Sequence, residues 1–229
     1  SSVLNMEYMF SYAISFNQEV SSWDVSSTHN MMGLFLNAWS FNQALQPWNV
    51  SSVTNMESLF ANCTLFDQPL NSWDVSSVTN MNFMFFFASS FNHPLDSWDV
   101  SQVSTMSHMF AFASLFQQSI TTWNVSKVQD MNGMFLSACS FNSEIGSWNV
   151  ERVVDMSYMF CDAISFSNVI NTWDISSANN MLNMFNSITY PHSISDWLRD
   201  PNFTNDTCWN CCDDCVDNVK SKLANDLPD

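Results

Sequence analysis

Basic residues are nearly missing from this chain: five Lys and Arg stand against 22 Asp and Glu among 229 residues, for a net charge of −17. A surface of that sign repels phosphate backbones and anionic headgroups, which argues against nucleic-acid and membrane-surface partners. No apolar run approaches the roughly 20 residues of a membrane-spanning helix, so membrane insertion is not expected. The chain opens at Ser1 without a leader or an initiator Met, so it is read as processed or truncated, and the missing leader says nothing about export. A catalytic constellation is also lacking. His29, His93, His108 and His192 stand in no His/Asp/Ser or His/Cys arrangement of consistent spacing, and an enzyme needs a nucleophile or base with an orienting partner. The expectation is a non-enzymatic protein without cofactors.

What the chain has in quantity is aromatic and apolar residues, with 20 Phe, 10 Trp and 15 Met, written at a fixed interval. Trp23, Trp48, Trp73, Trp98, Trp123, Trp148 and Trp173 are 25 residues apart. The same interval gives a Met column from Met6 to Met181, an unbroken Phe column from Phe10 to Phe185, and a second Phe column from Phe16 to Phe166. The eighth copy is degraded: Pro191 stands where the second Phe belongs, and Trp197 comes one residue early. Self-similarity of this kind is the signature of stacked coils, each too small to bury its apolar side alone.

Within a copy, Met56, Leu59, Phe60 and Cys63 fall at i, i+3, i+4 and i+7, the stripe of a two-turn helix. Asn55 precedes it, and its counterparts Asn5, Asn30, Asn80, Thr105, Asp130, Asp155 and Asn180 are all good N-cap residues. Beyond the stripe, "LFDQPLNSWDV" reads as one or two short extended segments. The expected fold is an α/β solenoid of eight 25-residue coils, each with a short helix and short parallel strands. It should curve, because helices are wider than strands. Residues 1–197 form the repeat and 198–229 a Cys-rich cap or tail. The segment "FDQPLNSWDVSSVTNMESLF" resembles the repeat of BspA-type surface proteins, distant relatives of leucine-rich repeats. That resemblance implies an exported, leucine-rich-repeat-like protein of a cell surface, often tied to adhesion.

Each candidate site competes with a plainer reading. The Met and Phe columns at helical spacing are core rather than a soft-metal or haem site. Asp24, Asn49, Asp74, Asp99, Asn124, Asn149 and Asp174 form a ladder after each Trp. Its side chains close Asx turns, or calcium binds between Asp74 and Asp99. Sequons occur at Asn49, Asn62, Asn124, Asn202 and Asn205. Asn62, Asn202 and Asn205 are the better acceptors, since Asn49 and Asn124 also serve as turn residues. Cys63 reads as a buried thiol. Cys139 and Cys161, in neighbouring coils, can pair, and Cys208, Cys211, Cys212 and Cys215 in the tail are expected as disulfides rather than a zinc site.

On a helical wheel Ser58, Ala61 and Asn62 point away from the core. In other copies these positions hold Tyr8 and Tyr12, Phe83, Phe86 and Phe87, or His108, Ala111 and Phe112, an outward aromatic patch of the kind that marks an interface. The first coil begins mid-repeat with no Trp before it, and head-to-tail stacking there would build open filaments. The functional expectation is a self-assembling extracellular or cell-surface scaffold, a homo-oligomer or filament. The alternative is an adhesin-like module that binds a protein or glycan.

Overall fold

The computed structural model describes residues 3–193. Eight coils lie along the chain, starting at residues 1, 26, 51, 76, 101, 126, 151 and 176. Seven parallel bridges join them in register through Asn5, Asn30, Asn55, Asn80, Thr105, Asp130, Asp155 and Asn180. The one-coil offset of every bridge confirms the 25-residue unit read from the Trp spacing.

The local structure corrects the expected α/β solenoid. Among the described residues there is no helix and no strand longer than a single bridge residue. In the third coil the N–H groups of Met56, Ser58, Phe60 and Asn62 donate to the carbonyls of Asn80, Asn82, Met84 and Phe86 in the next coil, at 2.7–3.0 Å. The intervening N–H groups of Leu59, Ala61 and Cys63 donate back three residues to Met56, Ser58 and Phe60, at 3.0–3.2 Å. The remaining one, on Glu57, donates to Asn55 Oδ1 at 3.0 Å. Every donor from 56 to 63 is thereby satisfied, alternately between coils and within a chain of β-turns.

An isolated two-turn helix is marginal in water, and it would keep its interior donors for its own carbonyls, leaving none of them to bond one coil to the next. The turn arrangement provides four inter-coil bonds at each of the seven junctions. It still returns side chains to one side at three- and four-residue spacing, so Met56, Leu59, Phe60 and Cys63 are buried as on the expected stripe. In three coils it buries one position more: Ala61, Ala111 and Cys161, outward on the wheel, are 0–2 % exposed.

The residues assigned as helix caps use the same chemistry for a different end. Asn5, Asn30, Asn55, Asn80, Asp130, Asp155 and Asn180 each accept the N–H two residues on through Oδ1, but the segment each one opens is a turn. Thr105 is the exception. Its hydroxyl donates to Asn82 Oδ1 of the coil before, and that oxygen also takes the Ser107 N–H at 2.8 Å. The expected strands after the second Phe are likewise turns, with Trp73 N–H on Leu70 O and Val78 N–H on Val75 O. Without helices on one side and strands on the other, the argument for curvature lapses.

The core is a set of ladders. Phe35, Phe60, Phe85, Phe110, Phe135 and Phe160 stack on one another at 5.4–5.9 Å, and each packs against the second Phe of its own coil at 3.7–4.2 Å. Each Trp from Trp48 to Trp173 donates its indole N–H to a carbonyl 28 residues earlier, so the one polar atom of the ring is paired on burial. In the eighth coil Tyr190, not Pro191, continues the second Phe column. Its ring stacks on Phe166 at 6.0 Å, and its hydroxyl donates to Asn168 O at 2.8 Å and accepts the Ile170 N–H.

Candidate interaction face

Two positions in every coil, four residues apart, have positive φ between 53° and 63°. They are the columns of Tyr8 and of Tyr12, sixteen residues in all, of which only Gly33 and Gly133 are glycine. In this region the Cβ of an L-residue crowds the following carbonyl, at about 1–2 kcal/mol per residue. Asn and Ser hold several of these positions. Tyr8, Tyr12, Phe83, Phe87, Phe112 and Tyr158 hold others, where so bulky a residue at positive φ is uncommon.

The left-handed backbone aims these side chains off the core and along the stack, over the next coil. A Cβ on Gly33 would run into the ring carbons of Tyr8, and one on Gly133 would come 2.6 Å from His108 Nε2. Where the next coil offers a ring instead, the two stack: Phe83 on His108 at 4.9 Å and Phe87 on Phe112 at 4.1 Å, both within 9° of parallel. Phe86 sits among them edge-on, 4.8–6.4 Å from Phe83, Phe87, His108 and Phe112. These five residues form one half-buried cluster across coils four and five. Tyr8 and Tyr12, 43 % and 72 % exposed, form a separate group on coil one, with two coils between. His108 Nδ1 lies 2.9 Å from Ser107 Oγ. Burial holds its imidazole below the ordinary value, against the pull of Asp130 and Asp155 in the other direction.

The structure also places the remaining candidates. Asp74 Oδ1 accepts the N–H and hydroxyl of Ser76 at 3.1 and 2.6 Å, and Asp99 Oδ1 accepts the Ser101 N–H at 3.0 Å. Hydrogen bonds from Ser101 hold the Asp99 carboxyl below the usual range. Both side chains are thus engaged in Asx turns, and among the described residues no three His, Cys, Asp or Glu groups converge as a metal site would need. Asn49 and Asn124 are exposed in the same kind of turn. Asn62 is half-buried at positive φ, and its Nδ2 donates to Asn37 Oδ1 at 2.7 Å. Cys63 is fully buried with Sγ on Phe35 O at 3.0 Å, and burial drives its pKa up. Cys139 Sγ lies 3.4 Å from Ser137 O, and Cys161 Sγ 3.7 Å from Asp162 Oδ2. Asn202, Asn205, Cys208, Cys211, Cys212 and Cys215 fall outside the described residues.

The wheel missed Tyr158, Leu36 and Leu136, which lie half-buried in the same three columns. A signal was present: Gly33 and Gly133 in one column, and Asn37 and Asn62 in the other, are residues suited to positive φ rather than to a helix interior. No helix among the described residues is long and apolar enough to cross a membrane.

Neither the curated proteins nor the solved structures contain a match to this chain. One family matches three times in overlapping stretches, residues 1–98, 30–143 and 84–197, and carries the description "Mycoplasma protein of unknown function, DUF285". Those matches together run from residue 1 to residue 197, the whole length of the 25-residue repeat, and the chain therefore belongs to the DUF285 family of repeat proteins.

Proposed function

We propose that this chain is a non-enzymatic structural scaffold of the cell surface or extracellular space, and that it associates with copies of itself through the aromatic face. The observation that carries the reading is the placement of Phe83, Phe87 and Phe112 at positive φ. Several other coils hold Gly, Asn or Ser in the same two columns, so the backbone does not call for rings there, and these three rings lie outside the buried core. A cluster of five rings left half-buried is an apolar patch of the kind that a partner covers. The BspA-type resemblance of the repeat supports the surface location.

The test is the combined variant Phe83→Ser, Phe87→Ser, Phe112→Ser, compared with the parent chain by sedimentation equilibrium. Ser58 and Ser187 already occupy these columns, so the backbone accommodates serine and the monomer should stay folded. Association should weaken by at least about tenfold, equivalent to 1.4 kcal/mol. A parent chain that is monomeric at all concentrations, and dispersed in negative stain, would refute self-association and favour the adhesin-like alternative, with a protein or glycan as the ligand.

A further inference from the structure

The face that holds the ring cluster comprises the nine residues from Tyr8 to Phe16 and their equivalents in the other seven coils. Across all of them there is no Lys, Arg or Glu; the single Asp, Asp162, is fully buried, and the single His is His108. That imidazole is a member of the cluster. It stacks on Phe83 at 4.9 Å and meets Phe86 edge-on at 6.4 Å. Nδ1 lies 2.9 Å from Ser107 Oγ, a hydroxyl that also reaches Asn132 O at 3.3 Å. Nε2 lies over Gly133 of coil six and has no hydrogen-bond partner among the described residues. Charges around the ring are few. Coil five holds no other, and His93, Asp96 and Asp99 of coil four and Lys127 and Glu144 of coil six lie outside the columns of the face. Asp130 of coil six and Asp155 of coil seven favour the imidazolium, but burial outweighs them.

A copy docked on the cluster covers the half-buried ring and expels the water at Nε2. In the neutral form Nδ1–H can donate to Ser107 Oγ while that hydroxyl turns to Asn132 O, and Nε2 then presents only a lone pair. In the imidazolium Nε2 carries an N–H and a share of a full charge, and covering that without a partner costs far more. The associated state therefore holds the proton more weakly than the free copy. Association is strongest above the pH at which the free imidazole titrates, and it is lost progressively below that pH. The rest of the molecule responds in the opposite sense. Each copy carries −17, and copies repel where their acidic surfaces come within about 8–10 Å. Protons gained elsewhere on the chain reduce that repulsion, so acidification without His108 would tighten the contact.

We infer that His108 makes the association of this chain sensitive to pH, so that copies hold together near neutrality and part on mild acidification. The inference rests on the self-association proposed above, and the experiment separates the two. Sedimentation equilibrium of the full chain is compared at about pH 7.5 and about pH 5.5, on either side of the ordinary histidine range, at one ionic strength. Tryptophan fluorescence reads the fold at both. The dissociation constant of the parent chain should rise by at least about tenfold at the lower pH with the fold intact. In His108→Phe, which keeps a ring in the column where Phe83 already has φ of 57°, that response should vanish or reverse. In the parent chain itself, the His108 ring C–H resonance followed by NMR should titrate at a lower pH in concentrated than in dilute solution. A dissociation constant that is unchanged or tighter at the lower pH overturns the switch and leaves self-association standing. So does a rise that His108→Phe retains, a rise that accompanies unfolding, or one titration at both concentrations. A monomer at every concentration overturns both.

Discussion

Ser58→Gly distinguishes the turn fold from the helix that the repeat pattern suggests, by the sign of a stability change. Ser58 has φ of +55°, its hydroxyl makes no hydrogen bond among the described residues, and the residue before it in the column is Gly33, so no ring lies over it. Glycine relieves about 1–2 kcal/mol of left-handed strain. The greater freedom of glycine in the unfolded chain takes back roughly 0.5–1 kcal/mol. The net expectation is a gain of about 0.5–1 kcal/mol. At the middle of a helix the same change would cost about 0.5 kcal/mol or more, glycine being among the poorest helix formers. Ala61→Gly is the control, since Ala61 is buried and is not among the residues of positive φ, so it should lose stability. Gly33→Ala should lose more than the strain alone, because the added Cβ meets the Tyr8 ring. Urea titration followed by tryptophan fluorescence reads all three. A loss of stability in Ser58→Gly, comparable to that of Ala61→Gly, would refute the left-handed assignment.

Two further outcomes test the stack. Phe110 is held between Phe85 and Phe135 at 5.4 and 5.9 Å and against Phe116 at 4.1 Å, whereas Phe10 packs against Phe16 at 4.0 Å and, among the described residues, has a Phe of a neighbouring coil on one side only, Phe35 at 5.7 Å. Phe110→Ala should cost about 3–5 kcal/mol in the same titration and Phe10→Ala clearly less; equal losses would contradict nearest-neighbour stacking. His108 gives a pH signature. Its imidazole is held below its ordinary 6.5, so the unfolded chain binds its proton first as pH falls. Its contribution is therefore fully present above pH 6.5 and is lost progressively below it, down to the folded value. His108→Phe keeps a ring against Phe83 and should flatten the stability profile in that window; an unchanged profile would show that the imidazole is not the group responsible.

The repeat alone determined the coil length, the number of coils and the core. Met56, Leu59, Phe60 and Cys63 are buried because their spacing puts them on one side of the chain in a helix and in overlapping turns alike. That degeneracy is also why the backbone could not be read from the pattern. The choice was made by hydrogen bonds that exist only between coils, such as Ser58 N–H on Asn82 O, and a helix would have kept its donors to itself. Asn55 shows the same ambiguity: an oxygen two residues before an orphan N–H is chemically a cap for either structure. The outward placement of Phe83, Phe87 and Phe112 was legible from their columns, but their stacking on the coil beyond was not. It depends on the sign of φ, which is fixed when neighbouring coils claim every second N–H, and no single coil of 25 residues encodes that requirement in isolation.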